Sequence, residues 1–204
     1  MILEITPAHE EKSFNQIAEV LNNKYFLKVN NTEIELCDLE FYWNDENAEG
    51  HQDINTHHHN YTNGQLRPHG SGYDIALKND NGYGGILIRG VINSGIPTYG
   101  PIRCADVIFK TGGDLLKPGG LSISLVERKI PKNFSIFATT RVGLVKKTYK
   151  DAHYRFLSCR ADYLCEVASK TKICSDIVES DSTLKEITDK ALETPMLKKG
   201  TLRN

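Results

Sequence analysis

The chain has 204 residues, of which 39% are hydrophobic and 25% are charged. This length fits one domain of ordinary size, and the hydrophobic share is enough to build a core without disulfides or a structural metal. The formal net charge is −1 at pH 7, which excludes the strongly basic balance common among DNA-binding proteins. Any nucleic-acid contact would therefore depend on a local basic patch. We expect a single domain over residues 1–204.

Five cysteines are present, and no pair has the Cys-x-x-Cys spacing. An odd count at wide spacing predicts free thiols in a reducing compartment rather than a disulfide framework. The N-terminal residues lack a basic segment followed by a long apolar run, and no stretch approaches the roughly 20 apolar residues of a membrane-spanning helix. We therefore expect a cytoplasmic, monomeric protein without a membrane partner.

The first part of the chain predicts a helix followed by a strand pair. Thr6-Pro7 has the pattern of a helix start, and the apolar spacing that follows ends near Asn22-Asn23. Strands are predicted over residues 25–29 and 33–43, joined by a tight turn at Asn30-Asn31. The second of these strands carries acidic side chains among apolar ones.

The middle of the chain begins with a long polar loop over residues 44–72, rich in Asn, His and Gly. A loop of this length within a compact domain is typically functional or disordered, and we favour a functional one. Strands over 73–78 and 85–93 are joined by residues 79–82, a strong hairpin signal. A helix is predicted over 101–116.

The last part of the chain predicts further β structure over residues 121–130, 134–145 and 154–158. Thr183 and Glu186 form a capping box for a C-terminal helix. The expected fold class is therefore α+β, with a curved, mostly antiparallel sheet and a few flanking helices.

Glu40 and Arg89 are the clearest candidates for chemistry. A carboxylate within an apolar strand loses hydration unless it is paired, and burial raises its pKa toward the range useful to a general base. Arg89 directly follows the apolar strand Gly84-Gly85-Ile86-Leu87-Ile88 and is a natural partner for a buried acid. The alternatives are a solvent-facing Glu40 on an amphipathic strand and a purely structural ion pair.

The loop histidines raise the possibility of a metal site. His51, His57, His59 and His69 lie within one segment together with Asp53. The segment lacks the His-Glu-x-x-His motif, and we expect no bound metal. The chain also lacks a Walker loop, a Gly-x-Gly-x-x-Gly after a strand and a Gly-x-Ser-x-Gly elbow, which excludes the common nucleotide-binding and serine-hydrolase signatures.

Several short motifs follow one another in a distinctive order. Glu40-Phe41-Tyr42 is followed by an acidic loop leading to His57, then by an apolar strand ending in Arg89, and then by Arg141-Val142-Gly143 and Tyr154-Arg155-Phe156. This order and spacing resemble the alkyladenine (methylpurine, or 3-methyladenine) DNA glycosylase family over roughly residues 33–160.

The resemblance implies a mechanism and a partner. A damaged base would be flipped out of double-stranded DNA into a pocket. Glu40 would activate a water that attacks the sugar carbon, and Arg89 would help to hold Glu40 and the water. Tyr42 would stack on the base, and His57 would hydrogen-bond or stack at its other face. The family's reaction needs no cofactor and no metal.

The sequence departs from the family at the pocket. The position of the family's pocket Asn falls near Ala76, and Asp74 lies two residues earlier. We place both residues in the predicted base pocket, and an anion at Asp74 implies a different ligand preference.

Contact with DNA is assigned to a basic segment that contains Arg141, Lys146, Lys147 and Arg155. A solvated rim of a β-hairpin is the alternative for this segment. Two other functions compete with the DNA glycosylase: a diverged, non-catalytic domain that binds a nucleobase or nucleotide in the same pocket, and an unrelated His-rich metal-dependent enzyme.

Overall fold

The order of helices and strands follows most of the expectations from the sequence. The computed structural model describes residues 3–113, 118–144 and 148–158. The elements are α1 (Glu10–Lys24), β1 (Tyr25–Val29), β2 (Thr32–Asp45), β3 (Leu66–His69), β4 (Gly72–Asn79), β5 (Gly82–Asn93), β6 (Ile96–Tyr99), α2 (Pro101–Thr111), β7 (Ile123–Glu127), β8 (Ile136–Thr139) and β9 (Arg155–Ser158).

Helix α1 begins later than predicted. The chain turns at Pro7-Ala8, where Ala8 has a φ of 61° and the His9 N–H donates to the Thr6 carbonyl at 3.0 Å. The Thr6 N–H donates instead to the Ser13 hydroxyl at 3.1 Å. Thr6 is therefore part of a turn before the helix rather than its cap.

The two predicted hairpins are present. Asn30 has a φ of 52°, which an Asn tolerates better than most residues, and it makes the turn between β1 and β2. Strands β4 and β5 pair from Asn79↔Gly82 onward, across the predicted turn. The short strands β3 and β6 were not predicted, because each contains a proline and only four residues.

All strand pairings are antiparallel, and the sheet is curled. Its main order is β3-β4-β5-β2-β1-β7, with β6 paired to β5, β9 paired to β2 and β8 paired to β9. Two helices flank the sheet within the described residues. The α+β class with a curved antiparallel sheet is confirmed.

The ladder between β2 and β5 is interrupted at one place. The pairing passes from Leu36↔Val91 to Asp38↔Gly90 and then to Leu39↔Ile88. Cys37 on β2 and Arg89 on β5 are therefore bulged, and neither has a residue directly across the β2–β5 ladder. Such bulges bend a strand and redirect a side chain, and they are frequent beside active sites.

The bulges lie where both central strands change their outer neighbours. Strand β2 pairs with β1 up to Ile34 and with β9 from Asp38. Strand β5 pairs with β4 up to Leu87 and with β6 from Gly90. The sheet thus divides at Arg89, one residue beyond the apolar run of β5.

The two faces of the central strands have different partners. One face carries Phe41 and packs on α1, where the rings of Phe14 and Phe41 have centroids 5.0 Å apart. The alternate residues of β2, Glu40 and Tyr42, point to the opposite face because side chains alternate along a strand. The candidate site is on that opposite face.

The described residues all belong to one compact unit that ends at Ser158. The prediction of one domain over residues 1–204 extends beyond them, and the predicted helix at Thr183 and Glu186 lies outside the described residues. Within the described part, Cys37 and Cys104 are buried. Neither of the helices described is long and apolar enough to cross a membrane.

Candidate functional site

The structure brings Glu40 and Arg89 together. Glu40 lies in the middle of β2, opposite Leu87 of β5, and Arg89 is the bulged residue two positions further along β5. The bulge directs its guanidinium to Glu40, and Arg89 Nη1 lies 3.1 Å from Glu40 Oε2. The sequence predicts that these two side chains are close, and they are in contact.

The Glu40 carboxylate is fully buried and accepts three hydrogen bonds from groups that the structure describes. Oε2 accepts from Arg89 and from the Tyr42 hydroxyl at 2.9 Å, and Oε1 accepts from the Val142 backbone N–H at 2.9 Å. Burial raises the pKa of Glu40 above its ordinary value, although the Arg89 charge and the Val142 N–H oppose that shift. Its proton affinity therefore moves toward that of a general base.

The segment Arg141-Val142-Gly143 reaches Glu40 because the Arg141 side chain is held by buried groups nearby. The Arg141 guanidinium pairs with the Asp53 carboxylate, and both side chains are fully buried. Its Nη1 also donates to the Phe41 carbonyl at 3.0 Å, and its Cζ lies 4.6 Å from the Tyr42 ring centroid. Arg141 thus fixes both Val142 and the Tyr42 ring.

A second buried pair lies on the same strand. Arg155 Nε and Nη2 donate to the two oxygens of Asp38 at 2.9 and 2.6 Å. This two-bond geometry is the strong form of an Arg–carboxylate contact. Arg155 is opposite Glu40 in the β2–β9 pairing, so its charge also lies near that carboxylate.

The burial of Arg141 and Arg155 corrects their expected location. We expected both on the surface that contacts DNA, whereas both guanidinium groups are buried and held by carboxylates. Their charges are balanced inside the protein, where a phosphate does not reach them. Lys146 and Lys147, assigned to the same contact, lie outside the described residues.

A cavity of about 370 Å³ opens beside Tyr42. It is lined by Tyr42, His57, Asp74, Arg67, His69 and Leu87, among others. Its volume falls in the range of small-molecule sites. Three of the predicted pocket residues, Tyr42, His57 and Asp74, therefore share one cavity.

Ala76 is placed differently from the other predicted pocket residues. It is fully buried and pairs with Gly85, but it does not line the cavity. Glu40 and Arg89 do not line it either, because the Tyr42 hydroxyl lies against the Glu40 carboxylate. Tyr42 therefore connects the cavity to the buried acid.

Asp74 is a buried carboxylate in the cavity wall. Arg67 Nη2 pairs with its Oδ2, and His69 Nε2 lies 2.9 Å from its Oδ1. Burial alone raises the pKa of Asp74, but the hydrogen bonds from His69 and Arg67 outweigh burial and hold the pKa below its ordinary value. Asp74 is therefore an anion at neutral pH.

The loop histidines make contacts with protein groups. His51 stacks on Tyr149 at a centroid distance of 4.0 Å, and His59 Nε2 lies 2.6 Å from the Gly84 carbonyl. His69 contacts Asp74. Among the described residues, no group of three or more His, Cys, Asp or Glu side chains is arranged to hold a metal ion.

Arg67 was missed by the sequence analysis, and His69 was considered only as a metal ligand. Both lie on β3, whose residues pair with β4 as Arg67↔Asp74 and His69↔Gly72. The available signal was Gly70-Ser71-Gly72, a turn that would place the preceding residues beside Asp74.

Comparison with protein-family models and with curated proteins gave no match.

Proposed function

We propose that this protein is a DNA base-excision repair glycosylase that hydrolyses the N-glycosidic bond of modified purines. The observation that carries the proposal is the buried Glu40 carboxylate, held by Arg89 and Val142 and joined through Tyr42 to a cavity that also contains His57 and Asp74. The flipped base would occupy the cavity between Tyr42 and His57. We also propose that the protein is cytoplasmic and monomeric.

Glu40 has the acceptor capacity that the reaction requires. An ionised carboxylate offers about four acceptor positions, and three described groups donate to Glu40. In the proposed reaction, one water takes a further position. Glu40 takes a proton from that water, the water oxygen bonds to the sugar carbon, and the C–N bond breaks with its electron pair leaving on the base.

The same carboxylate stabilises the charge that develops on the sugar. Cleavage of a glycosidic bond passes through an oxocarbenium-like state, which a nearby anion favours. Arg89 keeps the carboxylate in place and moderates the rise in its pKa. The cation–π contact of Arg141 with the Tyr42 ring fixes the aromatic surface on which a base would stack.

A non-catalytic domain that binds a nucleobase in the same cavity is the second candidate. It is favoured by the complete burial of Glu40 behind the Tyr42 hydroxyl, and by the net charge of −1. In this case Glu40 and Arg89 would be a structural pair, and the cavity would hold a ligand without hydrolysis. A His-rich metal enzyme has less support, because His51, His59 and His69 contact protein groups.

A single-turnover excision assay tests the proposal. Purified protein is mixed with duplexes that carry hypoxanthine, ethenoadenine, 3-methyladenine or 7-methylguanine, and alkali reveals the abasic sites. We expect excision by the wild type and a loss of about 10²–10⁴-fold in Glu40→Gln, because the general base is removed.

The matched control is Glu35→Gln. Glu35 lies on the same strand and pairs with Lys132 away from the cavity. This variant should excise at the wild-type rate. If folded wild-type protein releases no base from any duplex, the hydrolytic proposal is wrong and the binding domain takes its place.

A further inference from the structure

Asp74 gives the cavity a feature that bears on which base it accepts. Its side chain is 7% exposed, and among the described residues that line the cavity it is the one carboxylate. Two donors, Arg67 and His69, keep it ionised and fix its orientation. A carboxylate of this kind accepts hydrogen bonds and donates none.

Arg67 adds donors next to that acceptor. Its Nη2 pairs with Asp74, whereas its Nε is buried and has no hydrogen-bond partner among the residues that the structure describes. An unsatisfied buried N–H is unfavourable, so an acceptor atom brought into the cavity near Arg67 would be stabilised. The wall therefore presents an acceptor, Asp74, beside a donor group, Arg67.

Gly85 makes room for the Asp74 carboxylate in the cavity wall. Gly85 lies opposite Tyr42 on β2 and lines the cavity. A Cβ at this position would meet Asp74 Oδ2 at 2.9 Å. The absence of a side chain therefore lets the carboxylate lie against the backbone of β5, beside the cavity that Tyr42 also lines.

We propose that Asp74, supported by Arg67 and His69, selects bases with a guanine-type edge. Guanine presents two adjacent donors, N1–H and the 2-amino group, next to the acceptor O6. The two donors match the Asp74 oxygens, and O6 matches the Arg67 side. Adenine presents the acceptor N1 where guanine presents N1–H, so its lone pair would face an anion. This inference rests on the proposed function only in that the cavity holds a nucleobase.

Equilibrium binding of N9-methylated bases tests the inference without requiring hydrolysis. The full chain is titrated with 9-methylguanine, 9-methylhypoxanthine and 9-methyladenine in a calorimeter. We expect 9-methylguanine to bind roughly tenfold or more tightly than 9-methyladenine, since hydrogen bonds to a charged group discriminate at about this level. 9-Methylhypoxanthine keeps N1–H and O6 but has no 2-amino group, so it should fall between them.

Asp74→Asn identifies the group responsible. It keeps the shape of the side chain but removes the anion, so the preference for 9-methylguanine should disappear. Asp38→Asn is the matched control, because it removes an equally buried partner of an arginine that does not line the cavity. That variant should keep the preference. If Asp74→Asn does not fold, the order of affinities in the wild type still decides.

Two further ligands show whether the base is recognised in DNA or in a free nucleotide. Guanosine 5′-monophosphate is compared with a duplex that carries one 7-methylguanine. Tighter binding of the duplex assigns the base to DNA, and tighter binding of the nucleotide assigns it to free nucleotides. The guanine-type class itself is decided by the N9-methylated bases, because a duplex also binds through its phosphates.

The outcomes separate this inference from the proposed hydrolysis. Equal binding of the three bases, tighter binding of 9-methyladenine, or no binding of any of them overturns the inference, even if a duplex is cleaved. A guanine preference that persists in Glu40→Gln, together with no excision by the wild type, supports the inference and removes the glycosylase.

Discussion

Glu40 and Asp74 are two buried acids on one face of the sheet, and their surroundings act on them in opposite ways. Each pairs with Leu87, which lies between them on β5. Because neighbouring strands are about 4.8 Å apart, their Cα atoms are separated by roughly 10 Å. The pKa of Glu40 is raised, and that of Asp74 is lowered.

The difference follows from the donors that each carboxylate receives. Burial is the largest influence on both pKa values and raises each of them. Asp74 has strong bonds from Arg67 and His69, which together outweigh burial. Glu40 has Arg89 and Val142, which do not, and the nearby Asp38 raises its pKa further. In active sites, two acids whose pKa values are shifted in opposite directions typically have different catalytic roles.

The largest expected effect on stability comes from removing Arg141, which supports the surroundings of Glu40 and not those of Asp74. Arg141→Met leaves the fully buried Asp53 without its ionic partner. Loss of one partner of a buried pair costs about 3–5 kcal/mol, so we expect the free energy of unfolding to fall by about that amount in urea titrations.

The control for Arg141→Met is the double variant with Asp53→Asn. It removes the uncompensated charge and should recover a large part of the lost stability. A loss below about 1 kcal/mol in the single variant, the level of an exposed pair, would contradict the buried position of Arg141.

The second prediction concerns the pH dependence of stability in Glu40→Gln and Asp74→Asn. The raised pKa of Glu40 means that its contribution is fully present below its ordinary value of 4.5 and is lost as the pH rises through the folded-state pKa. The lowered pKa of Asp74 means that its contribution is present above 3.8 and is lost as the pH falls through the folded-state pKa.

Urea unfolding between about pH 3 and pH 8, the interval over which carboxyl groups of this kind titrate, measures both effects. The wild-type stability minus that of Glu40→Gln should decrease with rising pH, and the wild-type stability minus that of Asp74→Asn should increase. Each unit of pKa shift corresponds to about 1.4 kcal/mol. Two differences that change in the same direction would mean that the two acids do not differ as described.

The sheet was largely predictable because its signals are local. The alternation and turn residues around Asn30 and over residues 79–82 located β1, β2, β4 and β5 to within a few positions. The start of α1 was wrong because Thr6-Pro7 fits a cap and also a turn, and the bond from Thr6 to Ser13 favours the turn. Local patterns do not distinguish these two.

The site was predictable only in part, because its contacts span long distances in sequence. The contact of Glu40 with Arg89 could be expected from two charged residues on apolar strands. The pairs Asp53–Arg141 and Asp38–Arg155 join residues 88 and 117 positions apart. The pair Asp38–Arg155 depends on β9 pairing with β2, and no turn or periodicity specifies that pairing. Sequence reasoning therefore assigned both arginines to the surface.

The smallest expected effect is that of Tyr42→Phe, and it tests whether the two acids work separately. The variant keeps the aromatic ring in the cavity but removes the hydroxyl that donates to Glu40 at 2.9 Å. A hydrogen bond of this kind contributes about 1 kcal/mol. Its loss disfavours the ionised form, so the pKa of Glu40 rises further. The acid limb of the single-turnover pH–rate profile should move to higher pH, because the base must be deprotonated to accept a proton.

Asp74 has no bond to Tyr42, and its partners are Arg67 and His69. The base preference measured with the N9-methylated series should therefore be unchanged in Tyr42→Phe. Tyr83→Phe is the control, since Tyr83 packs on His58 and does not line the cavity, and it should leave both measurements unchanged. A contrary result is that Tyr42→Phe alters the base preference and leaves the pH profile unchanged. In that case the phenol acts on the ligand rather than on Glu40. The buried carboxylate is then a structural group.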